Sequence, residues 1–343
     1  EEAQKLRASA HMRVELAMKV LHRDGRVPGL KTATDVSPCL AGSLNPQVMG
    51  STPGAQPRPL VSFLLQYFRR PGNIARLVDS TVGACKEVFP VELVVNVDDP
   101  QDAATWAQLS YNTSGAVVPV FSANLHEARA YNRLAHLARG KYIVLMQDDE
   151  AMPANCSWLR SMVTQFEHWP ALGVVGLKTF QLNLLGNNPH DNRDELFMDP
   201  LTKVKFLFAM YTEYAPFAAR RSSFLSVGGV DETQSEPGAC GIWSDFELSM
   251  RMWAAGYQVG WMRLDGRQHD GQEGSTHRPE AVGPCWGRQM AIGKSVYEDR
   301  YSEDWRLALA QHVKDLNYAT LTPLYTKCPW GAASGGCPPG TPQ

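Results

Sequence analysis

The 343-residue chain lacks any apolar run near the roughly 20 residues that cross a bilayer. Its apolar stretches, such as Leu60–Leu65, are strand-sized. It lacks a basic excess: 33 Lys and Arg stand against 35 Asp and Glu, for a formal net charge of −2. That balance excludes the basic field expected of a nucleic-acid binder. None of its seven cysteines forms a CxxC pair, which excludes a zinc site of that kind. The chain begins Glu1-Glu2-Ala3 with no initiator Met, so a signal peptide or membrane anchor outside this chain is left open. No internal repeat is present.

What is there is an ordinary globular composition, 44% hydrophobic and 20% charged. The length suits one large α/β domain with extensions or two small domains. Two N-x-S/T sequons, Asn112-Thr113-Ser114 and Asn155-Cys156-Ser157, join the cysteines in pointing to the secretory pathway, with the Golgi lumen as the expected compartment and the cytoplasm as the alternative.

Leu6, Ala10, Val14, Ala17 and Leu21 fall at helical spacing, and residues 31–58 are rich in Pro, Gly, Ser and Thr. Residues 1–58 therefore read as a helix plus a linker, either a stem or a helix packed on the body. From Pro59 strand and helix signals alternate at short intervals. Val61–Leu65, Val91–Val97, Ala116–Val120, Tyr142–Met146 and Leu172–Gly176 read as strands. Ile74–Val88, Asn124–Arg139 and Trp158–Trp169 read as helices. Such alternation implies right-handed βαβ units and a mainly parallel sheet flanked by helices. Residues 181–204 read as a polar loop, Phe206–Phe217 as one or two strands, Ile242–Ala255 as a helix, Tyr257–Leu264 as a strand, and the tail from Lys327 as loosely ordered. The domain reading is 1–58 as helix and linker, 59–275 as a catalytic domain (59–150 nucleotide-binding, 151–275 acceptor-binding), and 276–343 as a C-terminal extension.

In parallel α/β sheets ligands sit at the carboxyl ends of the strands. Two predicted strand ends carry carboxylates. Asp148-Asp149-Glu150 repel one another unless a cation offsets them, and hard oxygen ligands suit Mg²⁺ or Mn²⁺; the other reading is a solvated acidic turn capping the next helix. Asp98-Asp99 is placed to accept hydrogen bonds from a ribose or a base, or to make an ordinary turn. Trp243-Ser244-Asp245-Phe246-Glu247-Leu248 opens a helix. Asp245 is a general base there, or with Ser244 an N-cap; Glu247 and Arg251 have the spacing of a surface ion pair. Trp243 is an acceptor platform or core packing. His269 opens a Gly-rich polar stretch, either a metal and phosphate loop or an exposed one.

Taken in order, these segments resemble the family-2-like, GT-A-fold glycosyltransferases. Val61–Pro71 is similar to that family's opening strand and nucleotide loop, and Asp98-Asp99 to its nucleoside-contacting pair. Asn124 and Ala130-Tyr131-Asn132 resemble its Asn-rich helix, and Gln147-Asp148-Asp149 falls at its DxD motif. Phe217–Arg221, Phe224–Glu232 and Asp245–Tyr257 resemble its acceptor-side block. The likeness spans about residues 59–275. It departs at Gln147, where the family often has Asp, at Ser244, where it often has Glu, and in the nucleotide loop. No Gln-x-x-Arg-Trp follows, which argues against a processive synthase.

The resemblance implies a GT-A-type Rossmann-like fold. It implies metal-dependent transfer of a sugar from a nucleotide sugar, of the UDP class, to a hydroxyl of a glycan or glycoprotein, with inversion and Asp245 as base. Asp149, Glu150 and His269 would hold Mn²⁺ or Mg²⁺. Gln66, Phe68, Asp98, Asp99, Asn124 and Asp148 would meet the nucleotide sugar, and Trp243 and Ser244 the acceptor. The rival readings are a non-catalytic nucleotide- or glycan-binding protein on the same fold and a metal-dependent nucleotidyltransferase.

Overall fold

The apolar runs read as strands are strands, and burial explains why. A computed structural model describes residues 58–178, 180–181, 197–214, 216–235, 238–269 and 279–321. The N-terminal helix and linker up to residue 57, the loop residues 182–196, the Gly-rich stretch after His269 and the tail from Lys327 lie outside the described residues. Strand β1 (Val61–Tyr67) is buried along its whole length, as expected of a strand covered on both faces. Around it run β2 (Val91–Val97), β3 (Val117–Phe121) and β4 (Tyr142–Gln147), all parallel. Strands β6 (Leu172–Gly176), β8 (Phe206–Phe208), β10 (Phe217–Arg220) and β11 (Gln258–Met262) complete an eight-stranded sheet in the order β3-β2-β1-β4-β10-β6-β11-β8. Pairing across β10 and between β11 and β8 is antiparallel; the other pairings are parallel. Two short pairs stand apart: β5 (Glu150–Ala151) with β12 (Gln268–His269), and β7 (Phe180–Gln181) with β9 (Tyr211–Thr212). This is the mainly parallel α/β sheet the sequence implies.

Helices flank the sheet: α1 (Ile74–Val78), α2 (Ala103–Asn112), α3 (His126–Leu137), α4 (Ser157–His168), α5 (Arg221–Ser226), α6 (Ser244–Ala254), α7 (Pro279–Arg300) and α8 (Glu303–Leu321). The helix expected over Ile74–Val88 is not continuous. After α1 it widens into a π-turn at Asp79–Gly83. The Ser80 and Thr81 hydroxyls bond back to the Leu77 carbonyl at 3.3 and 2.7 Å, which competes with the helix's own ladder.

Other differences have local causes. Strand β1 runs two residues beyond Leu65. Gln66 lies inside it because its amide is paired in both directions, to Asp98 at 3.0 Å and from Asn96 at 2.8 Å. The expected loop over 181–204 is partly structured. Buried Asp199 accepts N–H bonds from Leu201 and Thr202 and the indole of Trp169, closing a turn, and Met198 bridges Lys205. The C-terminal extension packs on the body. Asn317 of α8 donates to the Phe208 carbonyl at 2.7 Å and accepts from its N–H at 2.8 Å, so one buried amide satisfies backbone groups of the sheet's edge strand.

Glu247 and Arg251 are not a surface pair. Glu247 is wholly buried and accepts from Arg251 (2.5 Å), Arg300 (3.0 Å) and the Tyr301 hydroxyl (3.0 Å). Arg251 also donates to the carbonyls of Val227 and Gly229 at 2.5 and 2.8 Å, and Arg300 pairs with Asp231. This node joins α6, α7 and the turn after α5. Disulfides Cys85–Cys156 and Cys240–Cys285 tie the π-turn segment to the start of α4 and the loop before α6 to α7.

Candidate active site

Strand register builds the site. Gln66 lies opposite both Asn96 and Gln147, so β1, β2 and β4 end side by side. Phe68, Asp98 and Asp148 follow at one rim. Asp98 is buried and heavily engaged: it accepts from Gln66, from the Ser122 hydroxyl at 2.7 Å, and from the Leu125 and His126 N–H groups at 2.7 and 2.8 Å. It thereby holds a loop whose Asn124 and His126 both have positive φ, 56° and 60°. Such backbone costs about 1–3 kcal/mol per residue and persists where surrounding bonds enforce it. Asn124 also reaches the Gly238 carbonyl at 3.4 Å. A Cβ at Gly238 would lie 2.6 Å from the Asn124 amide, and Gly238 has φ +78°, so glycine is required there.

Asp99 caps the turn at Pro100–Asp102 through the Gln101 N–H and pairs with Arg69 at 2.7 Å. These two partners hold its carboxyl below the usual range. Arg69, itself at φ 52°, lies over the Phe68 ring at 4.9 Å. Asp148 is drawn inward: it accepts from the Phe68 N–H at 2.6 Å and faces Arg70 at 3.2 Å. Burial outweighs those partners and pushes its carboxyl up to about 7. Asn73 donates to the Asp148 carbonyl at 2.8 Å. Asp148 thus fastens the loop after β1 to the end of β4.

Asp149 is half-buried, and its charge reaches Asp148, Glu127 and Tyr131. Glu150 is buried and paired with Arg267 at 2.5 Å. The β5–β12 pair sets Glu150 opposite His269 in register, so the backbone carries His269 to the carboxylate cluster; its side chain lies outside the described residues.

At the start of α6, the Asp245 carboxylate accepts from the Tyr214 N–H at 3.0 Å and from the Phe246 N–H at 2.9 Å. Burial, then the charge of Glu213, pushes it up to about 7. Asp245 is not the N-cap of α6. Trp243 occupies that position at φ 68°, with no side-chain cap bond. The Trp243 ring is half-buried, edge-on to Phe246 and Tyr297 at 5.2 and 5.3 Å, and its indole N–H points to Met290. Ser244 is buried beside Gly241. Arg69, Asn124, His126 and Trp243 make four of the six described non-glycine residues with positive φ. All four lie on the segments that carry the candidate site residues, and backbone strain clusters at functional sites.

The structure engages residues to which the sequence reading gave no individual role. Glu127 of α3 is half-buried, accepts from the Gly241 N–H, and is pushed up to about 7, first by burial and then by Asp149 and Asp245. Its signal was available: it is the one acid in a helix carrying His126, Arg129, Arg133 and His136. An acid in a helix's first turn reads as ordinary dipole compensation, which hid it. Tyr131, one turn on, donates to the Met146 carbonyl at 2.9 Å, and Arg70 pairs with Asp148.

Among the described residues no three His, Cys, Asp or Glu side chains converge as a closed metal cage. A hard divalent ion that also binds substrate phosphates needs only one or two protein carboxylates. Asp149, with the His269 backbone near it, provides an open site of that sort. The carboxyls of Glu127 and Asp148 are pushed up beside it with Asp149's like charge contributing, an electrostatic deficit a cation would offset. The residues fit such an ion.

The sheet order and the carboxylates at its strand ends define a GT-A-type glycosyltransferase architecture. A family model, glycosyl transferase family 2, matches residues 62–228, from β1 through α5. Among solved structures the chain is similar to GalNAc-T7, crystallised with UDP, GalNAc and Mn²⁺, at TM-score 0.51 and 14% identity over 76% of this chain and 51% of that one. It also matches the mannosyltransferase PcManGT from Pyrobaculum calidifontis in complex with GDP-Man and Mn²⁺ (TM-score 0.44, 15% identity, 77% and 76% coverage). A further match is S. aureus TarS (TM-score 0.47, 13% identity, 77% and 44% coverage). The chain spans about half the length of the GalNAc-T7 chain it matches. A search of curated proteins finds no match.

Proposed function

We propose that this protein transfers a sugar from a nucleotide sugar of the UDP class to a hydroxyl of a glycan or glycoprotein, inverting the anomeric centre. The observation that carries this reading is the Asp245 carboxylate, fixed by two backbone N–H groups at the start of a rigid helix and pushed up to about 7 by burial. Inversion is a single displacement, so a carboxylate must take the acceptor's proton on the face opposite the leaving diphosphate. A base whose pKa lies near neutral suits that task.

On the donor side, Phe68 and Asp99 face the nucleoside, while Asp98 and Gln66 hold the loop beside it. Asp149 with His269 would hold Mn²⁺ or Mg²⁺, which supplies charge compensation for the departing diphosphate when bound. Asp148 fixes the loop after β1 through the Phe68 N–H. The lumen of the secretory pathway, the Golgi above all, is the proposed compartment. Two disulfides and exposed Asn112 and Asn155 in their sequons support it. No described helix is long and apolar enough to cross a membrane.

The test is hydrolysis of a UDP-sugar panel with Mn²⁺, which needs no acceptor. One donor should be cleaved slowly to UDP, and Asp245→Asn should lower that turnover. Wild-type protein that cleaves no nucleotide sugar, or that releases pyrophosphate, contradicts the reading.

A further inference from the structure

The scheme above leaves Glu127 without a task, although the charges of both Asp149 and Asp245 reach it. Tyr131, one helical turn further along the same face of α3, is anchored to the Met146 carbonyl near the end of β4. Its ring lies 5.7 Å from that of Tyr214, whose N–H holds Asp245. Gly241 closes the other side: a Cβ there would sit 3.5 Å from the Ala128 Cβ and 3.3 Å from the Ser244 hydroxyl, and its N–H donates to Glu127. Glu127 is therefore held between the end of β4, which leads to Asp149, and the start of α6, which carries Asp245.

That position matters for the chemistry. With the diphosphate at Asp149 and the acceptor oxygen at Asp245, the sugar in transit occupies the space between them. A carboxylate has two oxygens and about four lone-pair sites, and the Gly241 N–H uses one. Resting on the transferase reading, we propose that Glu127 accepts a hydrogen bond from a hydroxyl of the transferred sugar, and so determines specificity for donors that present one there. The backbone of Gly241 presets the carboxylate's direction, so little side-chain freedom is lost on binding.

The rival role is structural, with Glu127 merely holding the Gly241 loop. Glu127→Gln separates the two, because the amide oxygen still accepts from Gly241 while the charged acceptor is gone. Isothermal titration with Mn²⁺ present should compare UDP with UDP-glucose, UDP-galactose and their N-acetylhexosamine counterparts, using the donor that wild-type protein binds best. A hydrogen bond to a charged group corresponds to about a tenfold or greater change in affinity. Glu127→Gln should weaken the intact donor by about that factor, leave UDP within about twofold, and not lower the melting temperature. One deoxy analogue of the donor should bind wild type and variant equally. Equal weakening of UDP and donor shows the structural role and overturns the proposal, as does unchanged donor affinity. Wild-type protein that binds no nucleotide sugar overturns the transferase reading itself, a result read without any variant.

Discussion

The body of the molecule and the candidate site treat buried acids in opposite ways. Glu247, inside α6, has zero exposure and is matched by Arg251, Arg300 and Tyr301. Asp98, at the end of β2, is matched by four donors. Asp245 and Glu127, in the candidate site, have backbone N–H groups and like-charged neighbours, and both are pushed up to about 7. A carboxylate surrounded by donors holds structure together. One left short of positive charge is in a state that favours taking a proton or meeting a cation, which is a cost to the fold and a use to chemistry.

That contrast is most easily broken by substitution at Asp245 and Glu247. General-base help is worth about 10²–10⁴ in rate, so Asp245→Asn should lower donor turnover by at least the lower figure with nucleotide affinity little changed. Wild-type turnover should fall as pH drops below about 7, where the base becomes protonated, and a pH–rate profile checks this. Stability should move the other way. A folded-state pKa above the unfolded value means the native state binds the extra proton between about pH 4 and 7, so stability falls as pH rises through that window. Removing the charge should therefore stabilise the protein by about 2 kcal/mol at pH 8, after discounting a lost N–H bond, and by nothing near pH 4. Thermal melts at both pH values read the difference.

Glu247→Ala should do the reverse. Breaking a buried ion pair from one side leaves unpaired cations and costs about 3–5 kcal/mol. Denaturant unfolding measures it, and a loss under 1 kcal/mol would place Glu247 in solvent-like surroundings. Asn317→Ala, which strips the edge strand of its buried partner, should cost a smaller amount, about 1–3 kcal/mol. Its readout is the same unfolding curve, with donor turnover unaltered at temperatures where the protein stays folded.

The strands of the sheet and the acids at their ends were readable because that information is local. Val91–Val97 and Leu172–Gly176 are apolar runs whose bounds follow from burial alone, and Asp98 and Asp148 stand directly after strands. What escaped was decided across long sequence distances. Glu247 resembled a surface partner of Arg251 because its other partners, Arg300 and Tyr301, lie more than fifty residues away. Glu127 resembled a helix-dipole residue because Gly241 and Asp245 reach it only through the fold. Gln66 read as the start of a loop because periodicity cannot show that Asn96 and Asp98 would satisfy its amide inside the sheet. The Ile74–Val88 run read as one helix because hydrophobic spacing does not register hydroxyls that widen a turn.

The central claim is that Asp245 removes a proton from the oxygen that attacks opposite the diphosphate. Water can serve as that oxygen, so proton NMR of the earliest sugar released from an α-linked UDP-sugar, recorded before mutarotation, tests it without knowledge of the acceptor. The account predicts the β-anomer as the first product, and its formation should be strongly slowed in Asp245→Asn. Release of the α-anomer, or near-normal release by the variant, would contradict it.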